Sequence, residues 1–370
     1  MQIFLVGGAI RDQLLDFPSK EKDWVVVGGT PQDMIDQGFK PVGKDFPVFL
    51  HPETGEEYAL ARTEKKIAHG YKGFTFYTEP NVTLVEDLQR RDLTINAIAQ
   101  DDKGHLIDPY DGQQDLQKKR LKHVSHAFTE HPVRILRVAR FAARYHHLGF
   151  SIEATTLELM QSMVKEGETQ HLVAERVWQE TIKALGERNP HIFFSTLAQC
   201  DALKDVYPSL NQDQLRLHLE HLCQMSEKTE SKPLRFAALC YSLKYEKIEH
   251  LCKQLNIPNQ FREMALLISK TATQILKTKA LDAYTICNLL QQLDVSRKPE
   301  RFIQVINAIA WLSQPTASDN MIDFWQTAAN HYQQVSPQTL IQQGYTKAAL
   351  GEAITQQRVQ KIDEFINHVT

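Results

Sequence analysis

IFLVGGAIRD, residues 3–12, decides the fold. Four apolar residues end at Gly7-Gly8, and a helical stretch from Ala9 to Leu15 follows, closed by Asp16 and Pro18. The segment reads as a strand, a glycine turn and a helix. Two glycines let backbone approach a ligand closely, and a helix start presents unbonded N–H groups, which suits a triphosphate. Arg11, one turn in, can add charge-assisted hydrogen bonds. The same turn is also compatible with a purely structural role. It is neither the dinucleotide fingerprint nor a Walker loop.

Working outward, EKDWVVVGG (residues 21–29) predicts a second strand that begins at a pair of carboxylates. Glu21 and Asp23 are two apart, so on a strand they share a face. Like charges on one face suit a hard divalent cation with oxygen ligands, Mg²⁺ being the common choice beside substrate phosphates. The bland alternative is two solvated charges in a polar turn. Thr30-Pro31 then opens a helix, with Thr as cap and Pro in the first turn. Residues 46–50 and 57–62 predict a hairpin around Pro52 and Gly55. Residues 63–82 hold Gly70, Gly73 and several aromatics with little periodicity, and read as a mobile loop. Residues 87–99 read as helical, which puts Arg90-Arg91-Asp92 at a helix start, and 105–107 as a short strand.

Beyond about residue 117 the pattern becomes helical almost throughout, broken near Pro190, Pro208, Pro233, Pro258, Pro299, Pro315 and Pro337. The expected architecture is an α/β head followed by a long helical body, without alternating βαβ units. Net charge is −3, yet residues 118–144 hold eight Lys/Arg and one acidic residue, Glu130. That local strip suggests a phosphate site on an otherwise near-neutral chain. Arg134, Arg137, Arg140 and Arg144 fall on one arc of a helix, with Ile135, Val138, Ala139 and Ala142 largely on another side. An all-arginine row favours planar recognition of phosphate. No run of about 18 apolar residues exists, so no membrane span is expected. The start of the chain reads as a first strand and not as a signal peptide. The five cysteines (Cys200, Cys223, Cys240, Cys252, Cys287) form no CxxC, which suits small buried residues in a reducing cytoplasm.

In order and spacing, LVGGAIRD, EKDWVVVG, RRDLTINAIA, DPYDGQQDL, EHPVRILRVARFAARYHHLGF and ERVWQETIKAL resemble bacterial class II CCA-adding enzymes, tRNA nucleotidyltransferases of the polymerase-β superfamily. DFPVFLHPETGEEYALARTE (45–64) resembles the gammaproteobacterial branch. The resemblance is close over about residues 1–210 and looser beyond. It implies an α+β fold: a polymerase-β-like head (1–120), a helical neck that recognises the base (121–190), and an elongated all-α body and tail that bind tRNA (191–370). It implies addition of C, C and A to the 3′ end of tRNA from CTP and ATP, without a nucleic-acid template. Partners are then tRNA, through its 3′ end and acceptor/T arm, and the two nucleotides, with no membrane and no obligate protein partner.

By motif position, Glu21 and Asp23 would hold Mg²⁺, two ions in a two-metal mechanism, one carboxylate assisting deprotonation of the 3′-hydroxyl. Gly8 and Arg11 would hold the triphosphate, and Arg91 and Asp92 the ribose. Arg137 and Arg140 would bind phosphates and brace the pocket, while Arg134 would meet the base edge with His131 as a partner. Three departures stand out. The family's D-x-D pair is Glu21-x-Asp23 here, and the longer side chain must fold back to keep the geometry. Its E-D-P-x-R is Glu130-His131-Pro132-Val133-Arg134, with an imidazole in place of a carboxylate. The His-Asp pair of an appended phosphohydrolase is replaced by Tyr241-Ser242 within RFAALCYSLKYEK (235–247), so that segment is expected to lack hydrolase activity. Competing readings are a poly(A) polymerase, a CC-only or A-only enzyme, and an inactive RNA-binding module. The non-basic end QQRVQKIDEFINHVT speaks against the first of these.

Overall fold

A computed structural model describes residues 1–18, 22–42, 48–66, 74–210, 212–277, 281–313 and 318–369. The chain forms two compact units, Met1–Tyr207 and Pro208–Thr370.

The first unit opens with β1 (Gln2–Val6), α1 (Gly8–Leu14), β2 (Asp23–Val27), α2 (Pro31–Asp36), β3 (Lys40–Val42), β4 (Val48–Leu50) and β5 (Glu57–Leu60). Then come β6 (Thr63–Lys66), β7 (Phe74–Tyr77), α3 (Leu84–Gln89), β8 (Ala99–Gln100) and β9 (Leu106–Ile107). Seven of these strands form one mixed sheet in the order β3-β4-β5-β2-β1-β8-β9. β1 and β2 are antiparallel with Val6 opposite Asp23, and β2 runs parallel to β5. Alternation sends side chains to both faces. Phe4, Val6 and Val25 pack with Leu84 and Leu88 of α3, whereas Val26 packs with Met34 of α2, Phe39 and Phe49.

Two sequence expectations need correction. Within 63–82, β6 and β7 pair as an antiparallel ribbon, Thr63 opposite Tyr77, where a loop is expected. Phe74-Thr75-Phe76-Tyr77 is a strand-forming run, and its strand preference prevails. Residues 67–73 lie outside the described residues. The helix expected over 87–99 is Leu84–Gln89, begun by a Thr83/Glu86 capping box. Arg90-Arg91-Asp92 therefore follows a helix end, and a 3₁₀ turn, Thr94–Asn96, comes next.

The DPYDGQQDL segment holds that turn. Asp108 caps α4 (Gly112–Gln117) by accepting from the Gly112 and Gln113 amides at 2.7 and 2.8 Å. Asp115 accepts from the Thr94 hydroxyl at 2.8 Å. A Cβ on Gly112 would lie 2.3 Å from the Thr94 carbonyl oxygen, so the close packing of α4 on the turn requires glycine there.

The rest of the first unit is mostly helical. Its main helices are α5 (Val133–Tyr145), α6 (Ala154–Lys165), α7 (Ala174–Ala184) and α8 (His191–Gln199), and α5 packs on both α7 and α8. The short α9 (Leu203–Val206) closes the first unit, and in the second the described residues are helical in pattern, from α10 (Leu215–Lys228) and α11 (Lys232–Leu239) to Lys347–Val369. The core of the second unit includes Trp325, whose indole donates to the Ile275 carbonyl at 3.3 Å.

Candidate active site

The site is built on the register of the two central strands. Because Val6 stands opposite Asp23, the Asp23 carboxylate starts β2 beside the Gly7-Gly8 turn, and Asp23 is exposed. Gly7 has φ 74°, in the left-handed region that glycine adopts without strain. A Cβ there would come within 2.8 Å of Arg91 Nη1, so the Arg91 guanidinium lies directly against the turn. Gly8 begins α1. Glu21 lies outside the described residues.

A buried polar chain runs behind the turn. Arg11 donates from Nε and Nη2 to Asp12 Oδ1 at 2.9 and 2.8 Å, and from Nη1 to Asn96 Oδ1. Asn96 Nδ2 donates to Asp92 Oδ1 at 2.9 Å, which also accepts from the Leu93 amide at 2.8 Å. Asp92 Oδ2 accepts from Arg137 Nε at 2.6 Å. Burial pushes the Asp92 carboxyl up, but Arg137, Asn96 and Arg134 together outweigh it and hold the group well below the usual carboxylate range. Arg137 is held charged first by Asp92, with Glu180 and Asp23 adding to the field. The network thus reaches from the glycine turn to Arg137 on α5.

The arginine row on α5 faces protein partners. Arg134, buried, donates to the carbonyls of Ala127 and Arg90. Arg140 Nε donates to Glu180 Oε2 of α7 at 2.6 Å. Arg144 Nη2 donates to Asp12 Oδ2 at 3.1 Å, and the Tyr145 hydroxyl donates to Asp12 Oδ1 at 3.2 Å. The guanidinium carbons of Arg11, Arg137 and Arg140 lie 5.0, 5.7 and 4.4 Å from the centre of the Phe141 ring, a shared cation–π contact. The separation of an arginine arc from an apolar arc therefore does not make a solvent face: Arg134 and Arg140 are buried, though less completely than Ile135 and Val138. The carboxylates that permit this come from α1, α7 and the segment after α3.

Asp87, wholly buried, receives Arg90 Nη2 at 2.8 Å and Arg91 Nη2 at 3.4 Å. Burial raises its pKa, but Arg90 and Arg91 lower it further than that and keep it charged. Arg91 is loosely held by comparison, and its buried Nε has no hydrogen-bond partner among the described residues. His131 ends the 3₁₀ segment His126–Glu130, and its carbonyl accepts from the Arg134 amide at 2.9 Å.

The structure thus brings Gly8, Arg11, Asp23, Arg91, Asp92 and Arg137 around one turn. It gives Arg134 and Arg140 protein partners at Ala127, Arg90 and Glu180. Sequence reading misses Asp12, Asp87, Asn96 and Glu180. Their signal is present: Glu180 interrupts the buried face Val177, Trp178, Thr181 and Ala184 of α7, and Asp92 and Asn96 are four apart.

A carboxylate and a glycine turn on neighbouring strands, backed by a cationic helix, define a nucleotidyltransferase head. The model described as "Poly A polymerase head domain" matches residues 3–122, and "Probable RNA and SrmB- binding site of polymerase A" matches 149–214. The multifunctional CCA protein of Teredinibacter turnerae is 47% identical over 403 residues, covering 98% of this chain and 97% of that protein. The CCA-adding enzyme of Coxiella burnetii is 50% identical over 318 residues, covering 86% of this chain and 84% of that one. The chain belongs to the bacterial CCA-adding enzyme family of the polymerase-β superfamily. The fold agrees with that of the Thermotoga maritima CCA-adding enzyme complexed with tRNA_CCA (TM-score 0.70, 22% identity, 100% of this chain and 90% of that chain). It also agrees with the Bacillus stearothermophilus enzyme in complex with CTP (TM-score 0.70, 21% identity, 98% and 89%).

Proposed function

We propose that this chain builds the CCA end of tRNA from CTP and ATP, releasing pyrophosphate at each step. The observation that carries the assignment of roles is the Val6–Asp23 register, which sets a carboxylate beside the Gly7-Gly8 turn in a chain of this family. The reaction is in-line attack of the tRNA 3′-hydroxyl on the α-phosphate.

Asp23 and Glu21 would hold the divalent cation, Mg²⁺ as the hard ion that carboxylate oxygens suit. Asp23 fits, being exposed at the start of its strand, although no group of three ligating side chains occurs among the described residues. When bound, such ions stabilise the attacking and leaving oxygens. One of the two carboxylates accepts the hydroxyl proton. Gly8 lets the triphosphate approach the backbone, and Arg91, whose guanidinium lies against the turn, supplies positive charge to it. Asp92 meets the ribose through Oδ2. Arg137, which uses only Nε in hydrogen bonds to described residues, faces the nucleotide with Nη1 and Nη2. Arg11, Arg134 and Arg140 keep these groups in place, with Arg134 and His131 on the side of the base. The helical second unit contacts tRNA, and the cytoplasm is the compartment where that substrate is met. No helix among the described residues is long and apolar enough to cross a membrane.

The test is incorporation into tRNA ending one, two or three nucleotides short. Sequential C, C and A is expected; long A tails would instead indicate a poly(A) polymerase. Asp23→Ala should abolish transfer and leave tRNA affinity nearly intact, because it removes a cation ligand and no RNA surface. Collapse of tRNA affinity in that variant would remove Asp23 from the catalytic role.

A further inference from the structure

Asn96 sits at the midpoint of the buried chain, between two groups that make opposite demands. A guanidinium can only donate and an ionised carboxylate can only accept. The primary amide answers both, since Oδ1 accepts from Arg11 Nη1 and Nδ2 donates to Asp92 Oδ1 at 2.9 Å. The side chain is buried, and its orientation is dictated by these two partners. The 3₁₀ turn that carries it is pinned from outside the site by Asp115, through the Thr94 hydroxyl, and by the packing of Gly112.

The consequence lies in how Asp92 is left. Oδ1 is occupied by the Leu93 amide and by Asn96, whereas Oδ2 accepts only from Arg137 among the described residues. One lone pair of Oδ2 is therefore available, and its direction is set by the two bonds that clamp Oδ1. The geometry points to Asn96 as the positioning residue that selects ribose over deoxyribose, by fixing the Asp92 carboxylate so that Oδ2 meets the nucleotide 2′-hydroxyl. Asn96 does not itself touch the nucleotide. The inference rests on the proposed contact between Asp92 and the ribose.

No other common side chain of this size serves. Alanine frees Oδ1 and lets the carboxylate rotate about its remaining amide bond. Aspartate keeps the Arg11 partner but sets a second carboxylate against Asp92, and two carboxylates in contact resist double ionisation. An Asn96→Asp protein should therefore recover as the pH falls and the pair takes up one proton, whereas the parent protein should show no such recovery.

The experiment measures CTP and dCTP binding by calorimetry for the parent protein, Asn96→Ala, Asn96→Asp and Asp92→Ala, each checked for a cooperative melt. CTP transfer to tRNA lacking CCA is followed in parallel. The parent should prefer CTP. Asn96→Ala should lower that preference about tenfold, the scale of one hydrogen bond to a charged group. Adding Asp92→Ala to it should lower the preference no further. In Asn96→Asp the preference should return as the pH falls below neutrality. An unchanged CTP/dCTP ratio in a folded Asn96→Ala, with the ratio lost in Asp92→Ala, overturns the role of Asn96. An unchanged ratio in Asp92→Ala itself overturns the ribose contact beneath it. Absence of transfer by the parent, with sugar selectivity intact, counts against the proposed reaction and leaves the role of Asn96 supported.

Discussion

Arg140 Nε and Glu180 Oε2 lie 2.6 Å apart between α5 and α7, both side chains about nine-tenths buried. A buried pair is a poor source of net stability, but removing Arg140 leaves the buried Glu180 carboxylate with only the more distant Lys183 Nζ, at 3.9 Å, as an ion-pair partner among the described residues. Arg140→Ala should therefore cost about 3–5 kcal/mol in urea unfolding of the first unit. Replacing both groups, Arg140→Met with Glu180→Leu, should recover most of that loss. A single-variant cost below about 1 kcal/mol, the level of an exposed pair, would show that the two groups are hydrated.

The buried aspartates set the acid limit. Burial raises the pKa of Asp92, but Arg137, Asn96 and Arg134 lower it by more, so the folded group titrates below its unfolded value. An unfolded aspartate titrates near pH 3.9, about where the loss begins. Between the folded and unfolded values the unfolded chain binds the extra proton, so acid favours unfolding. The stabilising contribution is whole above about pH 4–5 and is lost as pH falls towards the depressed folded value. Asp87 acts in the same direction, its burial outweighed by Arg90 and Arg91. Urea midpoints between pH 6 and pH 3 should fall less steeply for Asp92→Asn than for the parent protein. Equal slopes would exclude Asp92 as a contributor.

What the sequence makes legible here follows from periodicity and turn chemistry. The Ile3–Val6 and Trp24–Val27 runs are apolar, bounded by glycine pairs, and too short for helices, so β1 and β2 can be read directly. Thr30-Pro31 likewise announces α2, and its capping box is present. The Arg90–Asn96 stretch is less legible, because its conformation is imposed by Asp108, Gly112 and Asp115 from a segment about twenty residues later. The arginine row is recognisable as unusual, but its partners Asp12, Asp92 and Glu180 are distant in sequence. Amphipathicity alone cannot distinguish a helix whose charges meet phosphate from one whose charges meet buried carboxylates.

Two glycines, one in the site and one behind it, should respond differently to the same methyl group. At Gly7 the neighbour is the far end of a side chain, Arg91 Nη1 at 2.8 Å, which can swing away. At Gly112 it is backbone, the Thr94 carbonyl oxygen at 2.3 Å, with Ile98 Cγ1 at 2.8 Å. Gly7→Ala also meets strain at φ 74°, ψ −126°, a sparsely populated region for residues with a Cβ, of about 1–3 kcal/mol. It should remain folded and lose nucleotide affinity about tenfold, since the displaced guanidinium is the one set against the turn. Gly112→Ala should cost about 1–3 kcal/mol as an overpacked site and lower the melting temperature, with nucleotide affinity changed less in whatever remains folded. The reverse ranking in melts and CTP titrations would mean that Arg91 does not serve the nucleotide.

The last prediction concerns Tyr241-Ser242 of the second unit, expected from the family resemblance to stand where a phosphohydrolase would carry a His-Asp pair. Ser242 Oγ lies 3.3 Å from His221 Nδ1, and the Tyr241 ring packs edge-on against His221 with centroids 5.0 Å apart. His218 Nδ1 is 2.9 Å from the Leu239 carbonyl oxygen. Burial lowers the pKa of both histidines, which favours neutral imidazoles. Neutral imidazole can ligate a transition metal, but a phosphohydrolase centre also needs carboxylate to hold the ion and to offset its charge against substrate phosphate. The hydroxyl and phenol here carry no negative charge at neutral pH, the phenol being pushed up further by burial. Addition of Mg²⁺, Mn²⁺ or Ni²⁺ should therefore release no phosphate from p-nitrophenyl phosphate, and none of the three should raise the melting temperature through these residues. Metal-dependent release that disappears in His221→Ala would reverse this reading and assign the second unit a hydrolase site built on imidazole.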